Sequence, residues 1–116
     1  MSDPVLYGIP NCDTVKKARK WLEQHNVDYV FHDFRKDGLS EKNLKDWFKA
    51  VDWEQLLNKR STSWRNLADN QKQGLTKASA SKLMLANPTL IKRPVLVSGK
   101  QVLVGFNAAD YKSQLE

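Results

Sequence analysis

Cys12 is the only cysteine in the sequence, and its position between two contrasting stretches suits it to thiol chemistry. The stretch before it, residues 5–10, is mostly apolar and ends in proline, whereas a basic amphipathic stretch starts directly after it. This order predicts a short strand, a turn and then a cysteine at the start of a helix. Unpaired N–H groups and the positive end of the helix dipole lie there, and both stabilise a thiolate. We therefore expect a nucleophile rather than the small buried hydrophobe that free cysteine often is.

The residues next to Cys12 indicate what chemistry the thiol can perform. Asn11 and Thr14 are placed to hydrogen-bond an anionic adduct, although plain helix capping accounts for them equally well. A Cys-x-x-Cys redox pair is absent, because the sequence has Val15 at the second position. The predicted site therefore holds one thiol, which forms a mixed disulfide with a small thiol but closes none within the chain.

Two arginines are candidates for binding an anion beside the thiol. Arg93 offers a planar fork that pairs with a carboxylate or a tetrahedral oxyanion, and a solvated arginine at a strand end is the alternative. Pro94 follows it, and a cis bond there would expose backbone groups to an extended peptide such as glutathione. The sequence leaves the isomer open. Arg60, in a loop between predicted helices, is the second arginine, with simple surface charge as its alternative.

Periodicity predicts the elements that position these residues. Residues 4–8 and 28–34 have the composition of strands, and between them apolar positions recur at helical spacing from 13 or 14 to about 25. Next come a helix capped by Ser40 and three short helices. These short helices are predicted near residues 53–58, 62–68 and 77–86, with Ser61, Thr62 and Thr76 as plausible caps.

The C-terminal part of the chain, from residue 94 onward, begins with the composition of strands rather than of helices. Residues 94–97 and 101–104, joined by a turn at 98–100, predict a hairpin, and residues 108–115 predict a closing helix. The order β-α-β, a helical block, then β-β-α predicts an α/β fold with a mixed sheet of four strands, of the thioredoxin-like kind. We expect a single domain over residues 1–116, with a helical insertion at about 40–87.

Composition excludes several classes of function. A chain of 116 residues with 41% hydrophobic and 28% charged residues forms one globular domain. The net charge of +6 permits an anionic ligand, but no recognition motif accompanies it, so nucleic-acid binding is not expected. No apolar run approaches the roughly 20 residues of a membrane span. A lone cysteine without a secretory signal favours the cytoplasm, and the two histidines are too few for a metal site.

The order of these motifs resembles the arsenate reductase family of glutaredoxin-coupled, thioredoxin-fold proteins. The resemblance covers nearly the whole chain, is strongest to the small YffB-like branch, and extends to the Spx-type regulators. Each motif alone is weak, but the Cys12 segment, Asn-Lys-Arg and Arg-Pro in this order are specific. The matching segments are residues 6–19, 29–38, 57–60 and 91–97.

The resemblance implies a redox thiol at Cys12. In the arsenate-reducing members such a cysteine attacks arsenate, arginines at the positions of Arg60 and Arg93 hold the oxyanion, and glutathione and glutaredoxin resolve the adduct. Those reductases carry a further arginine just after the last strand, where this sequence reads Val-Gly-Phe-Asn over 104–107. Losing one charge-assisted contact removes about 1.5–3 kcal/mol, which argues against arsenate as the substrate.

The residues favour a cytoplasmic oxidoreductase, and the resemblance to the YffB-like branch implies a glutathione-dependent thiol reductase of the arsenate-reductase-like family. Cys12 is the expected nucleophile, no cofactor is bound, and glutathione is the cosubstrate, with glutaredoxin as a candidate partner. Asn11, Thr14, Arg60, Arg93 and Pro94 are the expected substrate and glutathione ligands. The alternative is a non-enzymatic, Spx-like adaptor that binds a protein partner through the helical block. The Cys-x-x-Cys switch that the resemblance to the Spx-type regulators implies is missing from this sequence.

Overall fold

The computed structural model describes residues 3–99 and 101–115, so Met1, Ser2, Lys100 and Glu116, with part of the predicted turn at 98–100, lie outside the described residues. The chain comprises two compact units. One is formed by Met1–Gly38 with Arg93–Glu116, and the other by Leu39–Lys92. The expectation of a single domain stays a prediction.

The first unit is a sheet with helices. Its strands lie in the order β2-β1-β3-β4; β1 is parallel to β2 and antiparallel to β3, and β3 is antiparallel to β4. This mixed α/β sheet confirms the predicted thioredoxin-like fold. The elements are β1 (Val5–Gly8), α1 (Asp13–Gln24), β2 (Val30–Asp33), β3 (Val95–Ser98), β4 (Gln101–Val104) and, closing the chain, α7 (Ala108–Leu115).

Apolar side chains of α1 and the sheet form the core of this unit. The helix buries one stripe at the predicted spacing, Val15, Ala18 and Leu22, and its charged residues other than the half-buried Arg19 face solvent. Leu6 of β1 and Leu96 of β3 pack with Ala18 and Leu22 in one cluster. Burial of each leucine or valine side chain in this core stabilises the fold by about 1.5–3 kcal/mol and holds the start of α1 against the sheet.

The second strand is shorter at both ends than the sequence predicts, for a physical reason. The second strand was expected over 28–34, but β2 spans only Val30–Asp33. The reason is the length of its neighbour: β1 has four residues, and the parallel register runs only from Val5↔Val30 to Gly8↔Asp33. A turn follows Gly8, so β1 offers no further residue with which β2 could pair beyond Asp33. Within the described ranges, none of the helices is long and apolar enough to cross a membrane.

The second unit is mainly helical. Ser40, Ser61 and Thr76 occupy the N-cap positions of α2, α4 and α6, and each side chain accepts a hydrogen bond from the backbone three residues on. These caps confirm the predicted helix starts. The helices are α2 (Glu41–Ala50), α3 (Trp53–Leu56), α4 (Thr62–Arg65), α5 (Asp69–Lys72) and α6 (Lys77–Ala86), followed by a 3₁₀ turn, Pro88–Leu90.

Sequence periodicity missed a piece of extended backbone in this unit. Leu57 and Ile91 form an isolated antiparallel bridge. On either side of it, the Asn58 N–H donates to the Leu90 carbonyl at 2.7 Å and the Lys92 N–H donates to the Leu56 carbonyl at 2.8 Å. This pairing joins residues more than thirty positions apart in the sequence, so no local pattern reveals it.

Candidate active site

Cys12 is the N-cap residue of α1, which confirms the predicted placement of the thiol at a helix start. Its backbone is extended, with φ −94° and ψ 127°, and its carbonyl accepts the first helical hydrogen bond from the Lys16 N–H at 2.9 Å. The side chain is half-buried, is a free thiol and makes no capping hydrogen bond. The sulfur is therefore committed neither to a disulfide nor to the helix end.

The absence of a capping hydrogen bond removes one of the two effects that we expected to stabilise a thiolate at Cys12. We expected both the first-turn N–H groups and the helix dipole to act on the sulfur, but the structure shows no hydrogen bond from those N–H groups to it. What remains is the field of the helix end, which is worth about 0.3–1 kcal/mol.

Two oppositely charged side chains lie at the start of α1, close to Cys12 in the sequence. Asp13 is the acidic residue of the first turn, and Lys16 follows one turn along the helix; both are exposed. A carboxylate beside a thiol opposes thiolate formation, whereas an ammonium group favours it. The two effects are screened by solvent and act in opposite directions.

We predict that Asp13→Asn and Lys16→Gln change the reactivity of Cys12 in opposite senses. Alkylation by iodoacetamide at neutral pH should be about twofold faster in Asp13→Asn and about twofold slower in Lys16→Gln, with smaller differences at high ionic strength. Pseudo-first-order rates measured by mass spectrometry check this, and Lys112→Gln, an exposed change in α7, is the matched control. Equal rates in all four proteins at low salt would contradict it.

Asn11 and Thr14 lie on either side of the thiol, and both are exposed. Asn11 belongs to the turn before Cys12, and Thr14 is the second residue of α1. Because Cys12 itself holds the N-cap position, the capping alternative does not describe either residue. Their expected role toward an adduct on the thiol stays a prediction.

The sheet topology brings Arg93 and Pro94 to the edge where β1 ends. Strands β1 and β3 are antiparallel with Tyr7 opposite Val95, so the residues that precede β3 lie beside those that follow β1. Pro94 is buried, and its carbonyl accepts a hydrogen bond from the Gly105 N–H at 2.8 Å. Arg93 is half-buried, and the Arg93–Pro94 peptide bond is cis. The segment that follows β1 leads directly to Cys12.

Arg60 belongs to the second unit, where it lies exposed in the turn after the Leu57 bridge. The Asn58 side chain accepts a hydrogen bond from the Arg60 N–H at 3.0 Å, and the Arg60 carbonyl accepts one from the Arg65 guanidinium at 3.2 Å. These bonds order the backbone of the turn. The expected role of the Arg60 guanidinium as an anion ligand stays a prediction.

Sequence reasoning missed the part that Gly8 plays next to this site. Gly8 is the last residue of β1, and a Cβ atom there would lie 2.8 Å from Cγ2 of Val15 in α1. A signal for it was present, because a glycine within a strand often marks a close approach of another segment.

The fold and the helix-start thiol together define a thioredoxin-like α/β protein with a monothiol site. The family model described as "ArsC family" matches residues 7–114, and the chain belongs to the ArsC family. Two solved structures share 46% identity with it. One is of a protein named YFFB, with a TM-score of 0.94, covering 97% of this chain and 99% of that one. The other is of an arsenate reductase (ArsC) related protein from Brucella melitensis, with a TM-score of 0.77 and coverage of 99% and 96%.

A transcriptional regulator is a more distant relative. The global transcriptional regulator Spx 1 of Oceanobacillus iheyensis is 30% identical over 104 residues, which cover 88% of this chain and 79% of the regulator. These findings confirm the resemblance to arsenate reductase-related, YffB-like and Spx-type proteins. The arsenate reductase-related neighbour suggests an oxidoreductase. Because a transcriptional regulator is also a relative, the comparisons do not specify a reaction.

Proposed function

We propose that this protein is a glutathione-dependent thiol reductase in which Cys12 is the nucleophile. The observation that carries the proposal is the half-buried free thiol at the N-cap of α1, whose sulfur makes no capping bond. Membership of a family with arsenate reductase-related members supports oxidoreductase chemistry. The absence of a second cysteine requires that an external thiol complete the cycle.

The proposed cycle has two exchange steps. First, the Cys12 thiolate attacks the glutathionyl sulfur of a mixed disulfide; a Cys12–glutathione disulfide forms, and the substrate leaves as a thiolate that takes a proton from water. Second, the thiolate of a free glutathione attacks the glutathionyl sulfur on Cys12, so oxidised glutathione leaves and the Cys12 thiolate is regenerated. One substrate disulfide is reduced, and two glutathionyl groups become one oxidised glutathione. Glutaredoxin is the proposed partner that accelerates the second step.

We assign the anionic groups of the glutathionyl moiety to the two arginines. Arg93 lies at the sheet edge where the segment leading to Cys12 begins, and its planar fork suits a carboxylate. Arg60 is proposed as a further anion ligand, Asn11 and Thr14 as polar neighbours of the adduct, and Pro94 as a wall of the groove. The proposed compartment is the reducing cytoplasm, where an unpaired thiol persists.

A mixed disulfide is proposed as substrate rather than arsenate. The residues after β4, Gly105, Phe106 and Asn107, include no arginine. An oxyanion with several negative oxygens needs several charge-assisted donors, each worth about 1.5–3 kcal/mol. A glutathionyl group carries its carboxylates apart from the reacting sulfur, so it depends less on guanidinium groups at the thiol itself.

Intact-protein mass spectrometry tests the proposal. After incubation with oxidised glutathione, we expect the mass of one added glutathionyl group, peptide mapping should place it on Cys12, and glutaredoxin with reduced glutathione should remove it. Cys12→Ser should gain no mass. A wild-type protein that stays unmodified while a free-cysteine peptide is modified under the same conditions would overturn the proposal.

The similarity to Spx 1 favours a second candidate, a non-enzymatic adaptor that binds a protein partner. A stoichiometric partner that copurifies equally with the wild-type protein and with Cys12→Ser would favour the adaptor. Turnover of a glutathione mixed disulfide that is lost in Cys12→Ser would favour the reductase.

A further inference from the structure

Gly8 differs from every other glycine in the chain. Gly38, Gly74, Gly99 and Gly105 all have positive φ angles, between 58° and 80°, and a Cβ atom at any of them would meet open space. Gly8 has no such backbone requirement, but its missing side chain leaves room for Val15, whose Cγ2 lies 2.8 Å from the position of the absent Cβ. At position 8, glycine is therefore required because a side chain would collide with Val15. At the other four positions it is favoured because the backbone has a positive φ.

The backbone on both sides of this contact is fixed. Gly8 is the last residue of β1, is paired with Asp33 of β2, and its carbonyl accepts a hydrogen bond from the Phe34 N–H at 2.9 Å. Val15 is fully buried in the first turn of α1. One residue is held in the sheet and the other is packed in the core, so a Cβ atom at position 8 would force one of them to shift.

Cys12 lies in the short segment between these two residues. Its N–H donates to the Ile9 carbonyl at 3.4 Å, and its carbonyl receives the Lys16 N–H, so the segment is bonded at both ends. The distance between the end of β1 and the first turn of α1 therefore determines where the thiol lies. The field of a helix end falls off within the first turn, so a small displacement changes its effect on the sulfur.

We propose that Gly8 is a positioning residue for the Cys12 thiol and acts through Val15. The absent side chain lets the first turn of α1 lie directly on the end of β1, and this contact holds the cysteine at the helix start. The inference rests on the proposed role of Cys12 as a nucleophile. Gly8 itself does not contact the substrate in this proposal.

Alanine at position 8 tests the inference. In Gly8→Ala the new methyl group must displace Val15, and overpacking of this kind destabilises a protein. We expect the rate of Cys12 alkylation by iodoacetamide at pH 7 to fall by about twofold to fivefold, and the midpoint of its pH profile to move upward, as the benefit of the helix end is lost. A role in stability alone would lower the melting temperature and leave the pH profile of the folded protein unchanged.

A double variant tests whether the effect of Gly8→Ala is caused by the collision with Val15. Val15→Ala removes both γ-methyl groups, so Gly8→Ala/Val15→Ala should fold and regain the wild-type alkylation profile to within twofold, while Val15→Ala alone should keep it. A folded Gly8→Ala with the wild-type profile would overturn the inference. If Gly8→Ala does not fold, a double variant that also fails to fold, or folds with a slow thiol, would overturn it equally.

The readout separates this inference from the proposed function, because alkylation involves no glutathione. A wild-type protein that forms no glutathione adduct but whose thiol slows in Gly8→Ala would remove the reductase proposal and leave the positioning role. An adduct that forms equally fast in wild type and in folded Gly8→Ala, with equal alkylation rates, would remove the positioning role alone.

Discussion

Cys12→Ser is expected to abolish the reduction of a mixed disulfide of glutathione and 2-mercaptoethanol, leaving only the uncatalysed rate. A serine hydroxyl remains protonated at neutral pH without a general base, and the sequence contains no other cysteine that could replace the nucleophile. Turnover is followed as oxidised glutathione formed, through coupled oxidation of NADPH by glutathione reductase.

Two controls make this result specific to the thiol. Ser113→Ala, an exposed change in α7, should leave turnover unchanged. The thermal unfolding of Cys12→Ser should stay close to that of the wild type, since the cysteine side chain makes no capping bond that a serine would break. Turnover by folded Cys12→Ser above the uncatalysed rate would show that another group carries the reaction.

Loss of stability at alkaline pH is the second large effect, and we expect it to depend on Tyr111. This side chain is fully buried in α7, and its ring meets Trp21 and Phe106 edge to face at centroid distances of 5.7 and 5.0 Å. Its hydroxyl donates to the Gly105 carbonyl at 3.4 Å. Burial raises the pKa of the Tyr111 hydroxyl well above its usual range.

The direction in which pH changes the free energy of unfolding follows from the number of protons bound by the folded and the unfolded states. Above pH 10 the unfolded chain releases the Tyr111 proton, while the folded protein retains it, so the unfolded state binds fewer protons. The free energy of unfolding therefore falls as the pH rises, by about 1.4 kcal/mol per pH unit from this residue. This stability is fully present below the unfolded pKa of 10 and is lost as the pH rises toward the folded pKa.

Tyr111→Phe isolates this contribution. Phenylalanine retains the buried ring and removes the ionisable group, so the difference in unfolding free energy between wild type and Tyr111→Phe should be constant below pH 9 and shift in favour of the variant above pH 10. Urea unfolding followed by circular dichroism between about pH 8 and pH 11.5 measures it. A difference that stays constant over that range would contradict the prediction.

Local signals in the sequence predicted the parts of the fold that depend on neighbouring residues. The stripe of Val15, Ala18 and Leu22 has helical spacing, and burial of these residues follows from it. Ser40, Ser61 and Thr76 were identified as caps because a cap needs only residues within one turn. The hairpin and the closing helix were found in the same way.

Features that join distant segments could not be predicted in this way. The bridge between Leu57 and Ile91 pairs residues far apart, and β2 ends where its partner strand ends rather than where its own composition changes. The burial of Tyr111 depends on α1, α7 and the residues after β4 meeting in one core. No window of neighbouring residues contains such information.

In the candidate site, too, some features follow from neighbouring residues and others only from the tertiary structure. The sequence by itself determined that one thiol begins a basic helix after a short strand, because strand, turn and helix signals are all local to residues 5–24. Only the tertiary structure decided that Arg93 and Pro94 lie at the sheet edge where β1 ends, that their peptide bond is cis, and that Val15 packs onto Gly8. Those features depend on strand pairing and close packing between segments, which arise only when the whole chain has folded.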